Sequence, residues 1–382
     1  MFNVEINIEI LRWAIERAGL TIEDLRQKFP KIREWVSGQL SPTLRQLESL
    51  AKATSTPLGF FFLQSLPNEQ LPIPLLRTLG DENIYRPSIE FLETVHAMQQ
   101  RQDWIREFLI DQGQDRLSFV RSANVNDQPS IIAQEMRRIL QIDENWASRF
   151  STWEDALRSL LKAMEEVGLL VVINSVAGNN THRKLDPNEF RGFVLVDDYA
   201  PLVFVNGADA KSAQMFTLAH EIAHVFLGSS AAFDLREMTP ANNQVEKLCN
   251  EIAAEFLIPQ EQLHQLWPTA KNEPDPFQTI ARYYKVSTIV AARRTLDLGL
   301  ITRNDFLKFY RDYLGKEKQA ATRQQNGGNF YAMQTFRVGR KFASAVIQAV
   351  KEGKLLYSEA YKLTGLYGKS FKQFASYIEM EG

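Results

Sequence analysis

Five consecutive residues, His220-Glu221-Ile222-Ala223-His224, constrain this chain more than any other stretch. Histidines four apart stand one above the other on a helical face, so both imidazoles reach a single ion, while Glu221, one position round, can touch a water beside it. The surrounding run from Ala213 to Leu227 is apolar nearly all round, with Met215, Phe216, Leu218, Ile222, Val225 and Phe226 among its members. That is the pattern of a helix buried on every side. Two imidazoles and a carboxylate are costly to bury unpartnered, and a divalent cation neutralises and satisfies them together. The competing reading, a helix with incidental surface histidines, conflicts with this apolar surround.

A four-coordinate site that does chemistry needs a third protein ligand and one open position. Gly228 predicts a helix stop, a loop follows through Pro240, and a second helical run is expected from near Asn243 to Ile258, before Pro259. That run offers Glu246, Glu251 and Glu255. Glu246 shares a face with Cys249, Asn250, Ala253 and Leu257, whereas Glu251 and Glu255 fall with Lys247 on a solvent-like stripe. Glu246 is therefore the expected third ligand, and Asn250, one turn on, is placed to hydrogen-bond a ligand side chain from behind. An ordinary glutamate favoured at a helix start is the competing account of Glu246.

The segment from Phe216 to Gly228, followed by Glu246-x-x-Cys-Asn-x-x-Ala-Ala-x-Phe-Leu-Ile-Pro259, resembles the ImmA/IrrE family of intracellular zinc metallopeptidases. Phe190 to Asp197 and Ala200 to Gly207 are similar to the strands that precede that family's active-site helix; by composition they are β-branched and aromatic runs split by Asp197-Asp198-Tyr199, the pattern of a hairpin. Cys249 stands where the family has alanine, one small apolar residue for another. The resemblance implies a zincin-like, gluzincin-type peptidase core and hydrolysis of peptide bonds. Zn2+ would be held by His220, His224 and Glu246, with Glu221 as the catalytic base that passes a proton to the leaving amine. No oxyanion-stabilising residue is legible; His182 and His264 are candidates only because the chain has five histidines in all.

With 382 residues, 45% hydrophobic and 24% charged, the chain has room for several soluble domains. Leu58-Gly-Phe-Phe-Phe-Leu is too short to span a bilayer, and no basic region with a long apolar stretch opens the chain, so a cytoplasmic protein without membrane contact is expected. A single cysteine excludes an internal disulfide, in keeping with a reducing compartment.

Residues 1–75 resemble a repressor-type (XRE-like) helix-turn-helix domain, most clearly from Trp35 to Ala53. Thr21-Ile-Glu-Asp predicts a capped helix start and Ser41-Pro-Thr another. Between Leu25 and Trp35 the chain is shorter than that family's stretch, and Pro30 interrupts it where a recognition helix would begin. Residues 1 to 80 carry nine Lys/Arg against eight Asp/Glu, far from the basic footprint that phosphate contacts require. Weak DNA affinity is expected, and Lys28, Lys31 and Arg33 read as a solvated face.

Residues 76–145 are expected to form a helical connector. An extended Leu71-Pro-Ile-Pro-Leu precedes it, and it includes a helix from Pro87 to Gln112 with Trp104 and Phe108 on one stripe. Helices are predicted over Asp127 to Leu140 and Trp153 to Val167, and a strand over Leu169 to Asn174. Residues 146–300 hold the peptidase-like region. Residues 301–382 form a basic helical unit, fourteen Lys/Arg against seven Asp/Glu, with Gln324 to Asn329 as a break and helices over Gly339 to Val350 and Tyr357 to Thr364. The fold class expected is α+β, mostly helical and multidomain, with a small sheet beside the metal-bearing helix.

Two functions follow. The first is a regulatory zinc endopeptidase cleaving one protein, by resemblance a repressor or antitoxin-like DNA-binding protein. The alternative is a non-catalytic regulator or antitoxin that uses both domains for binding and holds zinc as structure; the intact Glu221 argues against it, because a structural site needs no base.

Overall fold

A computed structural model describes residues 3–67, 87–229, 231–233, 244–320 and 330–381. The extended connector expected at Leu71 and the break expected at Gln324 to Asn329 lie outside the described residues, as does most of the loop to Pro240. The chain is α+β and mostly helical. Described residues up to Val95 form one compact unit, and those from His96 onward form a second.

The first unit contains α1 (Ile8–Arg17), α2 (Ile22–Arg26), α3 (Ile32–Val36), α4 (Leu44–Ala53) and a single 3-10 turn over Leu58–Phe62. Their apolar faces meet in a core of Ile10, Leu11, Ala14, Leu25, Ile32, Trp35, Leu47, Leu50 and Phe61. Thr21 caps α2 as expected, with the Asp24 carboxylate bonding back to the Thr21 N–H at 2.8 Å. Helix α4 starts later than Ser41 suggested. Thr43 is its cap, because Gln46 three residues on reaches back to the Thr43 N–H at 2.8 Å and completes a reciprocal pair. Helices α2 and α3 are five residues each, on either side of Pro30. Arg33 is not a free surface cation, since its guanidinium pairs with Glu23.

Helix α5 (Ile89–Asp111) leads into the second unit, where Trp104 stacks on Phe108 at 5.4 Å and meets the edge of Phe342 at 5.7 Å. Next come α6 (Pro129–Ile139), α7 (Trp153–Glu166), β1 (Leu170–Asn174), β2 (Gly192–Leu195), β3 (Leu202–Asn206) and α8 (Lys211–Leu227). The short β4 (Ala231–Phe233) precedes α9 (Gln244–Leu257), α10 (Gln260–Ala270), α11 (Pro276–Tyr284) and α12 (Thr288–Asp297). The sheet runs β1-β3-β2-β4, with β1 parallel to β3 and the other pairs antiparallel. The hairpin split at Asp197 is thus β2 and β3. Strands β1 to β3 are buried throughout and rich in valine, leucine and phenylalanine, as strands covered on both faces are.

Beyond them lie α13 (Arg303–Ala320), α14 (Phe330–Val338), α15 (Arg340–Lys351), α16 (Tyr357–Thr364) and α17 (Gly368–Glu381). These final helices are tied into the second unit by buried polar contacts. Arg101 on α5 donates to the carbonyls of Leu363 at 2.9 Å and Arg337 at 3.0 Å. Glu165 at the end of α7 accepts from the Arg340 N–H at 2.9 Å.

Candidate metal centre

Helix α8 is the most enclosed helix of the unit: every residue from Gln214 to Phe226 is buried. It stops at Gly228, whose φ of 75° is the left-handed conformation that closes a helix. Helix α9 packs along it. The carboxyl end of α9 is held by two buried arginines: Arg137 donates to the carbonyls of Glu255 at 3.0 Å and Phe256 at 3.2 Å, and Arg294 to that of Ile258 at 3.1 Å. Arg294 also pairs with the Glu255 carboxylate, so Glu255 is not on the solvent stripe assigned to it from helical spacing. Glu251 does lie there, 3.9 Å from Lys247.

The two helices bring His220, His224 and Glu246 together, one donor atom from each lying within 4.8 Å of the others. The imidazole Nε2 atoms are 3.1 Å apart, His220 Nε2 is 3.2 Å from Glu246 Oε2, and His224 Nε2 is 2.9 Å from Glu246 Oε1. Ligands at about 2.0 to 2.2 Å from a tetrahedral ion stand roughly 3.3 to 3.6 Å apart, so this triangle fits one small divalent cation with modest opening. Burial also suits the donors to such an ion. It pushes the His220 imidazole down towards its neutral, lone-pair form. For Glu246, burial opposes the charge, but the hydrogen bonds with His220 and His224 outweigh it and hold the carboxyl at about 2. Asn250 Oδ1 lies 3.0 Å from His220 Nδ1 and orients that ring with Nε2 towards the cluster.

Glu221 is different in kind. It is completely buried, and neither carboxylate oxygen has a hydrogen-bond partner. Burial first, and the Glu246 charge second, push it well above the ordinary carboxylate range. Strand β2 lies directly against it: a Cβ built on Gly192 would sit 3.1 Å from Glu221 Oε1, 2.8 Å from the Phe204 carbonyl and 2.5 Å from Thr217 Cγ2. Glycine is what permits that approach. It went unread in the sequence, although a glycine inside a strand run signals close contact. Cys249 is fully buried on α9, its thiol pushed far up by burial and then by the charges of Glu246 and Glu221.

His182 and His264 stand apart from this cluster. His182 is exposed, and His264, also exposed, bonds through Nδ1 to the Gln260 carbonyl of its own helix at 2.8 Å.

Two histidines and a glutamate from adjoining helices, with a spare buried carboxyl beside them, make a candidate metal site. Residues 164–296 match the peptidase M78 family model, described as an IrrE N-terminal-like domain, and the match spans the sheet and both metal-site helices. Residues 338–377 match a model described only as a domain of unknown function, DUF8813. No curated protein matches the chain. Residues 164–296 are thus similar to a peptidase-like M78 domain. Among the described residues, no helix is long and apolar enough to cross a membrane.

Proposed function

We propose that this protein is a cytoplasmic, zinc-dependent endopeptidase that cuts a specific protein, of the repressor or antitoxin-like DNA-binding kind. The observation that carries the reading is the orphaned Glu221 carboxyl beside the His220, His224 and Glu246 triangle. A purely structural ion needs three or four ligands and no base, and burying an unsatisfied carboxyl is costly unless it is used.

When bound, zinc supplies Lewis acidity, polarising a peptide carbonyl and acidifying water. His220, His224 and Glu246 would hold it, and Asn250 fixes the His220 ring. Glu221 accepts the proton of the attacking water and then delivers it to the leaving amine. The Gly192 backbone lets β2 pass close to this carboxyl.

The first unit serves this reading as a partner-binding module rather than a reader of base edges. Its α3 is only five residues long, and Arg33 is engaged by Glu23. A buried cysteine with no disulfide partner supports a reducing compartment.

The test is incubation of the purified full chain with DNA-binding proteins encoded beside its gene, reading fragments by mass spectrometry. Fragments made by the wild type and lost in Glu221→Gln are the expected outcome. Equal binding by both proteins with no cleavage by either would overturn the reading in favour of a binding regulator.

A further inference from the structure

A second functional surface lies far along the sequence from the metal site, inside the segment matched only as a domain of unknown function. Tyr357 and Tyr361 stand one turn apart on α16, with ring centroids 6.1 Å apart. Gly365 ends that helix with φ of 70°, and the reversal brings Tyr367 to 5.8 Å from Tyr361. Phe371, buried on α17, supports the group from beneath, 5.5 Å from Tyr361 and 6.2 Å from Tyr357. These rings are not used as core: Tyr367 is 65% exposed and Tyr357 52%.

The charge around them is mostly of one sign. Lys362, Lys369 and Lys372 are exposed, and none makes an ion pair among the described residues. Neighbouring lysines behave otherwise, since Lys351 pairs with Glu379 at 2.8 Å and Lys354 with Glu352 at 2.7 Å. The nearby acid, Glu359, is occupied in bonding the Leu356 N–H at 3.1 Å. Helix α17 has no acidic residue in its first turn and carries Lys369 there, against the preference of a helix start for negative charge. The N-terminal N–H groups and the lysine concentrate positive potential next to Tyr367.

Exposed aromatic rings on a segment that also carries unpaired cations match one ligand chemistry: bases that stack and phosphates that follow the backbone. We propose that Tyr357, Tyr361 and Tyr367, with Lys362, Lys369 and Lys372, form a binding surface for single-stranded nucleic acid. A purely acidic peptide would satisfy the lysines and leave the tyrosine faces exposed. The surface is independent of the peptidase reading and stands or falls without it.

Fluorescence anisotropy of the full chain with short labelled oligothymidylate and oligouridylate tests the proposal, across salt from about 50 to about 200 mM. Either single strand should bind with a logarithmic salt slope near −2, about 0.7 for each lysine contact. Tyr367→Ala, a change at an exposed ring that leaves the fold intact by circular dichroism, should weaken binding about tenfold. Lys362→Gln with Lys369→Gln should flatten the slope by about 1.4. Glu221→Gln should bind the oligonucleotide as the wild type does. The proposal is overturned if neither strand binds, if a duplex binds more tightly than the single strand, or if Tyr367→Ala binds unchanged. Displacement of the strand by an equally charged acidic peptide whose own binding ignores Tyr367 would overturn it in favour of a protein partner.

Discussion

The two ends of α9 bury charge in opposite ways. At the carboxyl end, the guanidinium groups of Arg137 and Arg294 face the carbonyls of Glu255, Phe256 and Ile258, and the Glu255 carboxylate closes the arrangement. Nearer the amino end, Glu246 meets two imidazoles, and in the adjoining turn of α8 both oxygens of Glu221 are left without a donor. Charge buried for architecture is matched by acceptors until little is left to satisfy. On the proposed reading, a carboxyl buried for chemistry keeps an open valence, and the surrounding packing bears the cost. Both ends share one helix, so the closed end holds the open one in register.

The contrast can be broken most decisively at the ligands. His220→Ala, His224→Ala or Glu246→Gln should each abolish retention of one zinc per chain, read by elemental analysis after dialysis; fully loaded variants would refute the assignment. Glu221→Gln should keep the ion and lose about 10² to 10⁴-fold in cleavage rate. Its thermal midpoint should be unchanged or higher, since a neutral amide replaces an orphaned carboxyl; a fall of several degrees would mean that Glu221 is structural after all. At the closed end, Arg294→Met should cost about 3 kcal/mol in denaturant unfolding by stranding Glu255, and a neutral result would erase the distinction between the ends. Asn250→Ala should weaken zinc affinity by about 10 to 100-fold in a chelator competition. Smallest of all, Glu251→Gln should change neither metal content nor stability measurably, because its exposed pair with Lys247 contributes little.

What could be read in advance was local. His220 and His224 are one helical turn apart, and Glu246 was separable from Glu251 by face alone, so spacing sufficed to single out the three side chains that lie together in the fold. The hairpin of β2 and β3 was legible from two β-branched runs and the turn at Asp197. Contacts between distant segments were not. Arg137 reaches carbonyls more than a hundred residues away, and a sequence treats such an arginine as a surface residue. Glu255 was misplaced for the same reason: its partner, Arg294, lies three helices further on. The parallel pairing of β1 with β3 rather than β2 follows from sheet assembly, which no single strand encodes. Gly192 went unread because its role is defined by what it leaves out.

Cys249 is the chain's single cysteine, entirely enclosed and held as a protonated thiol. Maleimide dyes react with accessible thiolates, so the native protein should ignore them. Reporter labels can therefore be installed at chosen surface positions without first removing the natural sulfhydryl, and uptake of dye by the unmodified chain becomes a direct gauge of how often the space between α8 and α9 opens.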